Sequence, residues 1–263
     1  LAPPFVAQLY HTYGFPIDLT RVVAEENALT VDEAAAQQAV KDSYVTEDDV
    51  TLIKVKAVDT VWFTIRERVA ATEFVGYERD DAEAKVLAIV SGGAEVQRAG
   101  AGAEVFVVLD RTPFYGESGG QVGDSGILEG KGLWVDVKDT QKPRPDLVVH
   151  SGVVTRGELV VGQGVEAKID RAAREATRKN HSATHLLHLA LKEVLGEHVQ
   201  QKGSRVAPDR LRFDYAHFEP VTAEQLDKIE QRVNELVLVD AATDVHVGTI
   251  DDARKSGAVM LFG

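Results

Sequence analysis

The chain has 263 residues, of which 44% are hydrophobic and 27% are charged, with no cysteine and a formal net charge of −13. This composition is that of an ordinary globular protein, it excludes disulfides, and no apolar run approaches the roughly 20 residues that cross a bilayer. No secretory signal is visible, so we expect a cytoplasmic location and no membrane partner. The acidity also argues against a protein that binds DNA or other nucleic acid over its whole surface.

The first part of the chain, to about residue 70, is predicted to be helical. Gly14-Phe15-Pro16 interrupts it, and Thr30-Val31-Asp32-Glu33 is a capping-box pattern before the Ala-rich run 34–40. Acids dominate the first fifty residues, which favours an exterior helical module over one that grips phosphate. Because the chain starts at Leu1 and stops after the apolar run 260–262, we also expect it to be a fragment.

From about residue 83 to 170 the pattern changes to short apolar or alternating runs with glycines between them. Several short strands at close spacing predict a small antiparallel barrel or sandwich. The predicted strands are 85–90, 104–109, 133–137, 147–154 and 165–169.

A long helix is predicted after this region, with Asp170 as N-cap and Gly196 just past its end. Thr222-Ala223-Glu224-Gln225 opens another helix, to about Val239. The remaining predictions are strands at 199–206, 211–215, 243–250 and 258–262 and a helical turn at 251–255. The predicted fold class is α+β, with a helical N-terminal segment, a small antiparallel β-barrel, and an α/β core whose long helix packs on an antiparallel sheet.

Charge is distributed unevenly along the chain. Between Arg171 and Arg212 there are nine Lys and Arg against four acids, although the whole chain is acidic. A polyanion would therefore be directed to this stretch. A solvated helix face is the competing interpretation.

His181 and His185 lie four residues apart on the predicted helix, so they share one face. Two imidazoles in this geometry can each give a nitrogen to one zinc ion. Ser182 stands where a metalloprotease of this kind has its Glu, which disfavours a protease. A packed or solvated pair of histidines remains an alternative.

Further zinc ligands are hard to find, because the chain has no Cys. By residue type the nearest candidates are His198, His217, His246 and Asp214, and none has a distinctive spacing.

The run Thr112 to Gly126 contains five glycines after Tyr115. Glycines let backbone amides approach a phosphate closely, but the run is neither a P-loop nor a dinucleotide fingerprint. Tight turns between barrel strands are the favoured interpretation. Gln200 to Ser204 lies on the strand predicted after the His helix, where a hairpin would bring its side chains near the histidines. A solvated polar strand is the alternative interpretation.

Four segments together strongly resemble the alanyl-tRNA synthetase family. They are Leu9-Tyr10-His11-Thr12-Tyr13-Gly14-Phe15-Pro16-Ile17-Asp18-Leu19-Thr20, the glycine run at 112–126, Asn180-His181-Ser182-Ala183-Thr184-His185-Leu186-Leu187-His188, and Gln201-Lys202-Gly203-Ser204 leading into Leu211-Arg212-Phe213-Asp214. The resemblance covers nearly the whole chain. Free-standing alanyl-tRNA editing proteins share the last three segments but are not expected to carry the first.

The resemblance implies an editing site that hydrolyses mischarged Ser-tRNA(Ala) and Gly-tRNA(Ala), in a parent enzyme that ligates alanine to tRNA(Ala) with ATP. It implies that His181 and His185 hold zinc together with a Cys and a His from a later motif that is absent here. Two of four ligands are then present, and we expect this chain to bind zinc weakly and to be a poor deacylase.

The resemblance further implies that Gln201 shapes the pocket and senses the serine hydroxyl, and that Thr184 lines it. The tRNA acceptor end is the expected partner. The residues expected to contact it are Arg178, Lys179, Lys202, Arg205 and Arg212.

The expected domains are a helical tRNA-recognition segment at 1–75, a β-barrel subdomain at 76–170 and an editing core at 171–263. Three alternatives stay open: a non-catalytic fragment that binds the tRNA acceptor end, a stand-alone editing protein, and an unrelated two-His metal hydrolase that uses His198 or His217.

Overall fold

The computed structural model describes residues 1–13, 16–27, 29–44, 59–244 and 248–257. The chain divides into two compact units, Leu1–Val61 and Trp62–Gly263. The predicted α+β class is confirmed. The helices are α1 (Pro3–Tyr13), α2 (Ile17–Glu26), α3 (Glu33–Tyr44), α4 (Asp59–Arg68), α5 (Arg171–Leu195), α6 (Ala223–Leu238) and α7 (Ile250–Lys255).

The first unit is helical, as its sequence predicts. Its small apolar side chains, among them Val6, Ala24 and Ala36, are buried. The capping assignment at α3 is corrected, because Asp32 Oδ1 accepts the backbone N–H of Ala35 at 3.0 Å. With the helix beginning at Glu33, Asp32 and not Thr30 occupies the N-cap position, from which a side chain reaches the third helical N–H.

The second unit contains a closed barrel of six antiparallel strands. They pair in the order β11-β7-β8-β9-β5-β2, and β2 returns to β11 with Ala84 opposite Val165, while β3 extends β2. The strands of this unit up to the His helix are β1 (Glu73–Phe74), β2 (Asp81–Ser91), β3 (Ala94–Val96), β4 (Arg98–Gly100), β5 (Glu104–Leu109), β6 (Arg111–Thr112), β7 (Gly126–Gly130), β8 (Leu133–Arg144), β9 (Leu147–Arg156), β10 (Glu158–Val160) and β11 (Gly164–Ile169). Closure leaves these six strands without an open edge.

Alternation of side chains builds the barrel core. In β2, Ala82, Ala84 and Val86 are buried while Glu83 and Lys85 between them are exposed. A strand places successive side chains on opposite faces, so one face of each strand points inward. Each fully buried Val, Leu or Ile side chain contributes about 1.5–3 kcal/mol, which makes this core the main stabilising element of the unit.

The long helix α5 begins and ends where the sequence predicts. Asp170 caps it by accepting the backbone N–H of Ala173, and Gly196 follows its last residue with a φ of 117°. After it come β12 (Gln200–Val206) and β13 (Leu211–Ala216), which form an antiparallel hairpin. Ala190 and Leu191 of α5 pack with Val199 and with Ile229 of α6 in a second core.

The C-terminal predictions have mixed outcomes. The capping box at Thr222 and the helical turn after Thr249 are confirmed. The predicted strand at 243–250 is wrong for its described residues, since 243, 244, 248 and 249 are not in a strand and Ile250 begins α7. None of the described residues in this run pairs with a strand, and without a neighbouring strand the backbone N–H and C=O groups have no ladder partners. The prediction for 258–262 lies outside the described residues.

Candidate functional site

His181 and His185 lie on one face of α5 with their rings stacked. The ring centroids are 5.3 Å apart and the planes differ by 25°. The helix creates this contact because residues four apart sit one turn above each other. His181 is half-buried and His185 is exposed, so the pair lies at the protein surface.

The glycine run reaches His181 through Gln121, a contact that the sequence did not reveal. Gln121 Oε1 lies 2.7 Å from His181 Nδ1, and the Gln121 side chain is buried. Gly119 and Gly120 form a two-residue turn before it, with φ of 60° and 82°, as the sequence predicts, but this turn joins Ser118 to Gln121 beside β12 and does not connect two barrel strands. The two partners are sixty residues apart in the chain, so no local spacing connects them.

The pKa of His181 is lowered from its ordinary value. Burial of the ring is the larger cause, and the neighbouring His185 is the second. Both effects oppose the positive charge of an imidazolium. The neutral ring, which has one nitrogen lone pair, is therefore favoured, and this is the form that binds a metal ion or accepts a hydrogen bond.

The fit of this site to zinc can be tested on its donor atoms. His181 and His185 supply two nitrogen ligands. Within the described residues, no group of three or more His, Cys, Asp or Glu is placed to hold a metal ion. A structural or catalytic zinc site takes at least three protein ligands, so the two histidines fit part of such a site and do not complete it.

The two other histidines considered as ligands contact each other. His198 Nε2 lies 2.8 Å from His217 Nδ1, and their rings stack. Phe218 also stacks on His198. His246 lies outside the described residues. Among those described, the structure does not bring His198 or His217 into a ligand set with the His181 and His185 pair.

Thr184 and Gln201 have different surroundings. Thr184 is buried, and its hydroxyl donates to the Asn180 carbonyl at 2.8 Å. Gln201 is half-buried on β12, opposite Tyr215. The hairpin carrying Gln201 is fastened to the helix by Asn180, whose amide donates to the Ala207 carbonyl at 2.7 Å.

The five basic residues predicted to bind tRNA lie on α5 and on the hairpin that follows it, where Arg205 of β12 is opposite Arg212 of β13. Arg178 is exposed and pairs with Glu175, and Arg212 is exposed and lies 3.2 Å from Asp214. The three others are Lys179 and Lys202, which are exposed, and Arg205, which is half-buried.

A cleft of about 400 Å³ adjoins His181. Four arginines, three acids and two tyrosines are among the residues that line it. Tyr77 is 87% exposed, and its ring meets Phe74 edge-on. The arginines are Arg79, Arg171, Arg174 and Arg178, and the acids are Glu78, Asp80 and Glu175. Sequence reasoning identified Arg178 of this set but not Tyr77 or Arg79, which lie outside the basic stretch.

Comparisons with known proteins agree with one another. Residues 2–173 match the family described as tRNA synthetases class II (A). The alanine–tRNA ligase of Anaeromyxobacter dehalogenans (strain 2CP-C) is 50% identical to the chain over 261 residues, covering 97% of the chain and 28% of the relative. The alanine–tRNA ligase of Mesorhizobium japonicum is 47% identical over 257 residues, covering 97% of the chain and 29% of the relative.

The chain thus spans less than a third of the length of these relatives. In the part of the chain that the structure describes, no helix is both long and apolar enough to traverse a lipid bilayer.

Proposed function

The chain belongs to the alanyl-tRNA synthetase family of class II tRNA synthetases, and from this premise we propose that its His helix carries the editing site of an alanine–tRNA ligase. The proposed reaction is hydrolysis of the ester in mischarged Ser-tRNA(Ala) and Gly-tRNA(Ala). We propose that the complete protein also ligates alanine to tRNA(Ala) with ATP, in the cytoplasm. The observation that carries the editing proposal is the stacked pair of His181 and His185 beside an arginine-lined cleft.

The physics of small substrates makes a second site necessary in such an enzyme. A pocket that accepts alanine rejects glycine poorly, because glycine binding differs from alanine binding only by the loss of one methyl contact. Serine adds a single hydroxyl, and a hydrophobic pocket discriminates against it by only about 100-fold. Hydrolysis at a separate site removes the wrong product after it has formed.

The cleft next to His181 suits the 3′ end of a tRNA. Its exposed arginines can meet phosphate oxygens, and the exposed ring of Tyr77 can stack on a base. Arg171 and Arg178 each have an acid nearby, Asp80 at 3.4 Å and Glu175 at 3.1 Å, so the cleft is only modestly positive. This balance favours one or two nucleotides of a single strand over a longer stretch of backbone.

The ester to be cleaved is attached to the terminal ribose, so a terminal nucleotide in this cleft lies close to His181. By family resemblance, Gln201 senses the serine hydroxyl and Thr184 lines the pocket. By the same resemblance, His181 and His185 would hold zinc together with ligands outside the described residues. When bound, zinc polarises a carbonyl or lowers the pKa of a bound water.

The test is a His181→Ala, His185→Ala double variant of the complete protein. We expect hydrolysis of Ser-tRNA(Ala) to fall at least about 100-fold, because both candidate ligands are lost. Alanine ligation and tRNA binding serve as controls and are expected to persist. Unchanged hydrolysis would refute the proposal.

A non-catalytic acceptor-binding fragment is the rival function, and the basic stretch from Arg171 to Arg212 is the observation that favours it. It predicts tRNA binding without turnover, and no effect of the two histidines on hydrolysis. Metal analysis of the 263-residue chain adds a further test. We expect far less than one zinc per chain, since two ligands hold zinc weakly, whereas one tightly bound zinc would show that the chain itself supplies further ligands.

A further inference from the structure

The hydrogen bond between Gln121 and His181 gives the glycine run a specific task. We infer that Gln121 is a positioning residue for the candidate site. Its side-chain oxygen holds the proton of His181 on Nδ1 and leaves Nε2 as the acceptor nitrogen. This inference rests on the proposed function for its use in hydrolysis, although the tautomer itself can be measured independently.

The direction of the hydrogen bond follows from the atoms involved. An amide oxygen can only accept, and Gln121 Oε1 lies 2.7 Å from Nδ1. Nδ1 therefore carries the hydrogen, and in a neutral imidazole the other nitrogen must then hold the lone pair. Without such a partner, the proton of a neutral imidazole can sit on either nitrogen.

Backbone hydrogen bonds around Gln121 hold this residue, and with it the side-chain oxygen Oε1, in place. Gln121 and Ser118 exchange backbone hydrogen bonds of 3.0 and 3.2 Å across the glycine turn. Two further bonds connect the turn to Val206 at the end of β12. Val206 N–H donates to the Gly120 carbonyl at 2.7 Å, and Val122 N–H donates to the Val206 carbonyl at 3.0 Å. The turn is thus fixed to β12, and the buried Gln121 side chain is 6% exposed, so its amide has little freedom to rotate away.

The nitrogen left as acceptor is available for chemistry. Among the described residues, none forms a hydrogen bond to His181 Nε2. This nitrogen is also not one of the buried polar atoms that lack a partner, so it is not fully buried. A metal-binding His almost always donates its other N–H to an oxygen, because this fixes both the tautomer and the ring orientation. Gln121 supplies that oxygen to His181, and His185 stacks on the same ring.

Nitrogen NMR of the histidine rings in the 263-residue chain tests this inference at about pH 8, where imidazole is neutral. We expect the wild type to show the proton of His181 on Nδ1. Gln121→Met removes the acceptor at similar volume and leaves the main-chain bonds of the turn intact, so the Nε2–H tautomer should become populated. Gln163→Met is the matched control, because it also removes a half-buried amide oxygen, which accepts the Val160 N–H at 3.1 Å, and it should leave the His181 signals unchanged.

A second measurement uses rescue. Gln121→Glu restores an oxygen acceptor, so it should return His181 to the Nδ1–H tautomer, and urea unfolding should show that both Gln121 variants fold. Zn²⁺ titration of the complete protein, which would supply the remaining ligands, should show about 10–100-fold weaker binding to Gln121→Met than to wild type, with partial recovery in Gln121→Glu.

A wild-type His181 protonated on Nε2, or a tautomer that is indifferent to Gln121→Met, would overturn the inference. If the tautomer responds as expected while the double His variant still hydrolyses Ser-tRNA(Ala), the proposed function fails and the positioning role stands.

Discussion

Arg174 and Asp124 form a buried ion pair that joins the long helix to the end of the glycine run. Arg174 Nε lies 3.0 Å from Oδ1 and 3.1 Å from Oδ2 of Asp124. The same guanidinium donates to the carbonyls of Gly76 and Pro113, each at 2.8 Å. Through this pair, the barrel and the helix that carries His181 are fixed to each other about two helical turns from the histidine.

Arg174→Met is expected to destabilise the protein by about 3–5 kcal/mol, because it leaves the Asp124 carboxylate buried without a counter-charge. The measurement is urea unfolding of the 263-residue chain. Arg178→Met, one turn further along the same helix, is the control. Its guanidinium is exposed and, among the described residues, pairs with Glu175, so a change of no more than about 1 kcal/mol is expected. Equal losses in the two variants would contradict this account.

The two glycines of the turn should respond differently to alanine. Gly119 has φ of 60° and open space around it, so Gly119→Ala should cost about 1–2 kcal/mol for the left-handed backbone alone. Gly120 has φ of 82°, and a Cβ there would stand 2.7 Å from the Ser204 carbonyl oxygen.

Gly120→Ala should therefore be the more destabilising by urea unfolding. Because it displaces Gln121 from β12, it should also disturb the His181 tautomer. A larger effect at Gly119 than at Gly120 would count against the contact between the turn and β12.

His188 shares a helix face with the histidine pair but is buried beside the second core. Its Nε2 has no hydrogen-bond partner among the described residues, and its ring packs on Phe213. His188→Leu removes the unpartnered nitrogen at similar size, so we expect unfolding free energy to rise by about 1 kcal/mol. His185→Leu, at an exposed position of the same helix, should change it by less than about 0.5 kcal/mol. A clear loss of stability in His188→Leu would indicate a partner for that nitrogen.

His150 makes the barrel sensitive to acid. Its ring is fully buried, with Nδ1 donating to the Val107 carbonyl at 2.9 Å and Nε2 accepting from the Thr112 hydroxyl at 2.7 Å. Burial lowers the pKa of His150 from 6.5 to about 4.

As the pH falls, His150 therefore takes up a proton at a higher pH in the unfolded chain than in the folded chain. The free energy of unfolding is therefore highest above about pH 6.5, and it decreases by about 3 kcal/mol as the pH falls toward 4. His150→Asn keeps a donor and cannot titrate in this range. The difference in unfolding free energy between wild type and variant should shrink between pH 6.5 and 4, and a constant difference would disprove the linkage.

Local sequence patterns determined most of the secondary structure. The ends of α5 follow from Asp170 and Gly196, and the strands of the barrel follow from alternation of apolar side chains, since both signals act over a few residues. The two local predictions that were wrong concern short segments: the cap of α3, which is Asp32, and the strand predicted from 243, whose described residues have no pairing partner.

The sequence also singled out His181 and His185, because their spacing of four and the neighbouring motifs are both visible along the chain. Only the tertiary structure decided what surrounds them. The closure of β2 onto β11, the pairing of Arg174 with Asp124, and the contact of Gln121 with His181 each join residues fifty or more positions apart. Such partners are selected by how the barrel packs against the helix, and periodicity or spacing within a segment carries no information about that packing.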